Sequence, residues 1–344
     1  MHRVRIGLLA GVSALAIAAS QPEFASAADL PQRPAPVSKA PSATLPDRWT
    51  WWVEGGASAL AGDPGVAGLY GFNVDPKQWG WEGAIGFEYR PSMSQWIWSA
   101  QFRYGQHGSG SANSSPVATF LIGNFATTPY DFAGSNSASR KEHHWAADFM
   151  VGRDLGLGGG QNTLRFGVRV AEIRGKTTGA ADWRFNALTP TLPTCTPAYC
   201  AYERRDYVQN SSFLGVGPRL ALDGQVPFGG NWKFEYGGGI AALYGRRKAD
   251  QTLTISQIPP TAIPTPVCVA GCPIGTSSSS SNGFVFNLDA MLGVSYAITQ
   301  NASLMLSYRF DGYWNALRGY DSNGSVTNLD RFYHGPMIRL AITN

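Results

Sequence analysis

Ionisable residues fall at every second position along much of this chain, and that spacing limits the chemistry open to them. Glu82 and Glu88 take one parity of the run Trp79–Tyr89, and Arg103 does the same in Trp96–Tyr104. Asp148, Arg165, Arg169, Arg219, Asp223, Lys233, Glu235, Asp289, Arg309, Asp311 and Arg339 continue the pattern, each opposite in parity to a row of aromatic and aliphatic residues. Successive side chains of a strand point to opposite faces, so these charges share one face. With Glu54 and Arg90 they make eight acids and eight bases. Such a set can pair across strands, because unpaired charge in a confined space is costly.

Other chemistries find little support. No Ser/His/Asp set stands out, and the chain holds five histidines, so an enzyme is not expected. His143 and His144 are adjacent, so only one can join His107 on one face; a strand-end rim is expected there rather than a metal site. Gly215-Val216-Gly217 lacks the third glycine and the helix of a dinucleotide loop. Neither cofactor nor metal is expected.

The elements that carry the charges are strands with one greasy and one wet side. In the two opening runs the greasy side is Trp79, Trp81, Gly83, Ile85, Phe87, Tyr89 and then Trp96, Trp98, Ala100, Phe102, Tyr104. Rings at both ends of an apolar face suit a strand that faces lipid, with an aromatic residue near each water interface. The same alternation marks strands near 49–60, 144–154, 163–173, 210–223, 232–244, 284–296, 302–312 and 331–342, ten in all. Val117–Ile122 could add a hairpin.

The start of the chain reads as an export signal. His2, Arg3 and Arg5 precede a short apolar run, and Ala25-Ser26-Ala27 forms a cleavage site, so a mature chain would begin at Ala28. No later apolar run reaches the ~18 residues of a spanning helix. Loss of Arg3, Arg5 and Glu23 takes 27 basic and 23 acidic residues to 25 and 22, and the net charge from +4 to +3. That balance gives no reason to expect a nucleic-acid partner. The five prolines of residues 28–48 read as an extended lead-in.

Connections alternate in length. Short turns are expected near 91–94, 155–162, 224–231 and 297–301, and long polar loops near 61–78, 106–143, 174–209, 245–283 and 313–330. Ser277–Ser281 and Pro259, Pro260, Pro264 and Pro266 read as part of a mobile surface loop. Even strand number, short turns at one end and long loops at the other define an antiparallel transmembrane β-barrel of about 10 strands, range 8–12, with periplasmic turns and extracellular loops. The barrel is expected to span residues 49–344.

The segment Phe213-Leu214-Gly215-Val216-Gly217-Pro218-Arg219 resembles the signature of the Legionella major outer membrane protein type of barrel. Glu203-Arg204-Arg205-Asp206 and His334-Gly335-Pro336 fit the same family, and Ala28-Asp29-Leu30-Pro31 is similar to the mature start of many outer-membrane proteins. The resemblance implies a pore-forming protein in the outer membrane of a Gram-negative bacterium. One departure is the end, Ile342-Thr343-Asn344, where such barrels usually close on an aromatic residue.

The four cysteines suggest disulfides in an exported chain. Two local bridges, Cys195–Cys200 and Cys268–Cys272, are the simplest of three connectivities, and a loop-to-loop link is the runner-up.

Two readings of the lumen stay open. The opposed charges could line a pore with weak ion preference, or interlock into a plug, since barrels of about 8 strands are filled by side chains. The resemblance favours the pore, which would pass small hydrophilic solutes or ions. The alternative is a closed structural or adhesive barrel that acts through its stapled loops. Expected partners are outer-membrane lipid and lipopolysaccharide, the barrel-assembly machinery and small hydrophilic solutes; a homo-oligomer is compatible with the sequence.

Overall fold

Alternation makes each charged and aromatic run a strand, and short turns at one end force neighbours to pair antiparallel. The computed structural model describes residues 47–63, 78–92, 94–114, 117–120, 130–156, 161–186, 200–258, 272–320 and 325–344. These hold eleven strands and no helix: β1 Arg48–Gly62, β2 Gln78–Arg90, β3 Trp96–Ser114, β4 Val117–Phe120, β5 Tyr130–Asp154, β6 Gln161–Asn186, β7 Cys200–Gly229, β8 Trp232–Ile258, β9 Cys272–Ala297, β10 Ala302–Tyr320 and β11 Val326–Thr343. Sequential pairing runs through ten of them, β1 closes on β11, and β3 pairs with β5. The result is a closed antiparallel ten-strand barrel. The short β4 lies outside this ring and pairs only with the upper part of β5, Val117 opposite Ala133.

Aromatic rungs mark the lipid band. On β8 and β9, Trp232 faces Tyr296 and Tyr244 faces Phe284, with ring centroids 4.8 and 5.1 Å apart. The lower rung continues as Trp49 stacked on Tyr89 at 4.2 Å, and the upper as Phe102 on Trp145 at 6.1 Å. Between the rungs the outer face is exposed and apolar, with Ile85, Phe149, Val168, Leu220, Leu292, Leu306 and Ile338 on it. About ten residues of tilted strand cross a bilayer, which matches the stretch between rungs.

The strands do not stop at the upper rung. The 30 residues of β7 would reach roughly 100 Å along the strand at ~3.3 Å per residue, far beyond a hydrocarbon core of about 30 Å. Much of the expected loops 106–143, 174–209, 245–283 and 313–330 is therefore paired strand. The continued pairing has a simple cause. Above the membrane the outer face meets water, so the apolar half of the alternation disappears while the ladder continues. Ser277–Ser281 is likewise strand, lying opposite Arg247–Gln251 in β8.

Residues 1–46, and so the export signal and nearly all of the lead-in, lie outside the described residues, as do Cys195, Cys268, Pro259, Pro260, Pro264 and Pro266. Cys200 and Cys272 begin β7 and β9.

At the other end the connections are tight. Asp47, just before β1, accepts the Ser92 backbone N–H at 2.6 Å and the Tyr89 hydroxyl at 3.1 Å. The Ser92 bond, with the Tyr89 hydroxyl adding to it, holds its carboxyl below the usual range. One bulge matters for the lumen. Between Tyr313 and Leu317 β10 carries extra residues against β11, and Asn315 adopts φ 57°. Asparagine enters the left-handed region more readily than most residues. The bulge turns Ala316 and Leu317 into the barrel, both fully buried.

Candidate functional site: the lumen

Arg169 and Asp148 are direct cross-strand partners on β6 and β5, so the guanidinium meets the carboxylate side by side, Nε to Oδ1 at 2.6 Å and Nη2 to Oδ2 at 2.7 Å. A bidentate pair of this kind fixes geometry as well as charge. Its third nitrogen crosses the lumen to Asn287 Oδ1 at 2.5 Å and Asp289 Oδ2 at 3.2 Å on β9. Arg219 on β7 also grips Asp289, Nη2 to Oδ1 at 2.9 Å. Arg103 on β3, two strands from Arg169 in the ring, also crosses the lumen, donating to Asp311 on β10 at 2.8 Å, and lies 3.2 Å from Glu82. Asn287 donates to Asp311 at 2.7 Å and so joins the two halves. Glu54 on β1 takes Arg309 at 2.7 Å and Arg339 at 2.7 Å. Five acids and five arginines thus form one transverse layer, and Arg103, Arg169 and Asp311 are fully buried in it.

A second layer lies above. Glu142 accepts Arg331 at 2.8 Å and the Tyr333 hydroxyl at 2.6 Å, across the lumen from β5 to β11. The His144 ring stacks on Tyr333 at 3.8 Å and on His107 at 5.7 Å, and His107 Nε2 is 3.1 Å from Ser58 Oγ. His107 and His144 are inside the barrel, 1% exposed, rather than at a strand-end rim, because β3 and β5 run on past them. His144 occupies the space above Gly105 where any Cβ would stand. Among the described residues no cluster of three or more His, Cys, Asp or Glu could hold a metal.

Beside these residues sits an apolar filling of Ile173, Phe213, Leu243, Val285, Tyr313 and Leu317, each 1% exposed or less. Here the Gly-Val-Gly-Pro-Arg segment of β7 finds its physical role. The Phe213 ring lies over Gly215, where a side chain would clash, and Arg219 lies over Gly239 of β8. Higher still, Gln209 donates to Ser211 at 3.0 Å, Ser211 to the Arg318 carbonyl at 2.6 Å, and Tyr320 to the Ala249 carbonyl at 3.3 Å.

Below the layers the barrel opens into a cavity of about 330 Å³ at the periplasmic end. Glu88 and Arg165 pair across it at 2.6 Å, Arg165 Nε is 2.9 Å from Asp223, and Arg90 donates to Glu88 at 2.6 Å. Lys233 and Glu235 also line it.

The sequence-predicted set therefore divides by height. Glu82, Arg103, Asp148, Arg169, Arg219, Asp289, Arg309, Asp311 and Arg339 join the transverse layer or its edge, while Glu88, Arg165, Asp223, Lys233 and Glu235 line the cavity below. All fourteen side chains face inward. Sequence reasoning missed Glu142, Arg331, Tyr333 and the apolar filling. Parity carries the signal, since Phe213 and Leu243 alternate with the outward Leu214 and Tyr244, but an apolar residue at an inward position has no charge to distinguish it from the lipid-facing row.

Solved structures that resemble the chain include the Escherichia coli outer membrane protease OmpT (14% identity, 88% of this chain and 98% of that one, TM-score 0.42) and the neisserial surface protein A, NspA (10%, 85% and 95%, TM-score 0.25). A major outer membrane protein of Thermus thermophilus is a third (12%, 86% and 99%, TM-score 0.25). No curated protein matches the sequence. A family model described as the Legionella pneumophila major outer membrane protein precursor matches residues 72–343. That span takes in β2 to β11 and the whole lumen apart from what β1 contributes, and the chain belongs to this family of outer-membrane β-barrels of Gram-negative bacteria.

Proposed function

We propose that this protein is a closed outer-membrane barrel, exported by its N-terminal signal, whose work is done at its outward-facing end rather than through its lumen. The observation that carries the reading is the transverse layer. Arg169 and Arg103, two strands apart on one side of the ring, both reach across the lumen to β9 and β10, are fully buried and hold three aspartates between them. Removing such a partner from a buried pair costs several kcal/mol, so the layer does not open by thermal motion of one side chain. The apolar filling above it adds a second barrier, because water gains nothing by entering a dry, packed layer. In this reading the protein is not an enzyme and needs no cofactor, and the cysteine pairs staple the loops that meet a partner.

The test is single-channel recording of the mature protein folded into planar bilayers, with heat-modifiable gel mobility as proof of folding. The closed barrel gives no reproducible steps. Regular steps from folded protein would overturn it and restore passive diffusion of small hydrophilic solutes. One observation favours that second reading. The cavity below the layer is roomy, charged on both signs and open at one end, as the vestibule of a pore would be.

A further inference from the structure

Three lysines stand on the outer wall just above the upper aromatic rung without a counter-charge. Lys141 on β5 is the direct cross-strand partner of Lys176 on β6, and both are exposed. Like charges placed opposite each other destabilise a sheet. Lys248 on β8 is exposed as well, and none of the three has a carboxylate partner among the described residues. Nothing within the fold explains why two lysines should face each other there.

Their height does. On β5 the last outward ring is Trp145, and His143 and Lys141 follow it at two and four residues. On β8 the last outward ring is Tyr244, and Arg246 and Lys248 follow at the same two spacings. At ~3.3 Å per residue these lie roughly 7 and 13 Å along the strand beyond the ring. Aromatic girdles sit at the interface, so the cations stand where the headgroups of the outer leaflet lie. Register joins them into one patch. Arg174 faces His143 on one side and Ser212 on the other, and Ser212 faces Lys248. Arg174 is held by Glu172, which also accepts the Trp145 ring N–H at 2.6 Å, so the patch is anchored to the rung beneath it.

We infer that Lys141, Lys176, Arg174, Arg246 and Lys248 form a phosphate-binding belt for the phosphorylated glycolipid of the outer leaflet. The lipid phosphates would sit between the facing lysines and replace their repulsion by two ion pairs, while the acyl chains would lie on the apolar band below. The inference rests on the placement of the barrel in the outer membrane and is independent of whether the lumen is closed.

The experiment uses the whole mature protein folded in detergent free of lipid A. Native mass spectrometry measures binding of lipid A, of the same lipid stripped of its phosphates, and of lipid A in the presence of inorganic phosphate. The wild type should bind lipid A at least tenfold more tightly than the stripped lipid. The variant Lys141→Gln/Lys176→Gln/Lys248→Gln should bring that ratio close to one. Equal binding of lipid A by variant and wild type would overturn the belt. Competition by inorganic phosphate at millimolar concentration would assign the site to free phosphate and overturn the lipid as its occupant. Thermal unfolding without lipid A separates binding from folding: the variant should be at least as stable as the wild type, since repulsion has been removed. A less stable variant would mean that the lysines serve the fold, and would count against the inference.

Discussion

Arg169 ties three strands together, with both oxygens of Asp148 on its neighbour strand and Asn287 and Asp289 on the far wall. Its replacement by leucine would leave Asp148 buried without its bidentate partner and Asp289 with Arg219 alone. The expected loss is about 3–5 kcal/mol, the cost of breaking a buried pair from one side. Urea unfolding in lipid vesicles, followed by gel mobility, would measure it, and a loss under about 1 kcal/mol would show that the layer is wet. Which way Arg169 points was legible in the sequence, because Val168 and Val170 beside it are apolar and strand faces alternate. Its partners were not. Arg103 and Asp311 are 208 residues apart, and parity assigns a face without saying what stands across the lumen. Only the ring order of the strands supplies that.

Between the two aromatic rungs the strands were readable, since lipid on one side and a polar lumen on the other impose a strict alternation. The short turns were readable too. The upper halves of β5 to β9 were not, because water bathes their outer face and serine, threonine and lysine replace the apolar residues there. The same loss of signal hid the bulge of β10, where Asn315 takes a left-handed conformation and its N–H donates to Asp330 at 2.7 Å. The bulge aims Ala316 and Leu317 into the filling, so the conformation at Asn315 governs a packing layer several residues wide. Asn315→Val should cost about 1–3 kcal/mol, since a β-branched residue strongly resists positive φ. Asn315→Gly should lie close to the wild type, as glycine accepts that conformation freely. The pair of unfolding midpoints is the check, and a valine variant as stable as the glycine one would mean that the bulge relaxes.

On the scale of the molecule, ten strands enclose more space than the about 8 that side chains fill with ease. This barrel closes the difference with its longest residues. Arginines span the middle, Phe213, Tyr313 and Tyr333 fill the next height, and the charges balance because acids and bases enter from every part of the ring. Strand number and membrane were legible from the alternation of short and long connections. Closure was not, since Ile173, Phe213, Leu243 and Val285 sit at inward positions of the expected strands but carry no charge to mark them, and Tyr313 and Leu317 fall in a stretch that resembles a loop. A closed barrel has two separate mouths, and that has a direct consequence. Gln225 lines the periplasmic cavity, below the transverse layer, and its amide is bonded to Gln161 at 2.5 Å. In Gln225→Cys, a thiol reagent too large for general diffusion pores should fail to label the barrel in cells with an intact outer membrane. It should label it once the membrane is opened, because the reagent then reaches the cavity from below. Labelling of intact cells at a comparable rate would mean that a path runs the length of the lumen, past Arg103, Arg169 and Phe213, and that these side chains move aside together.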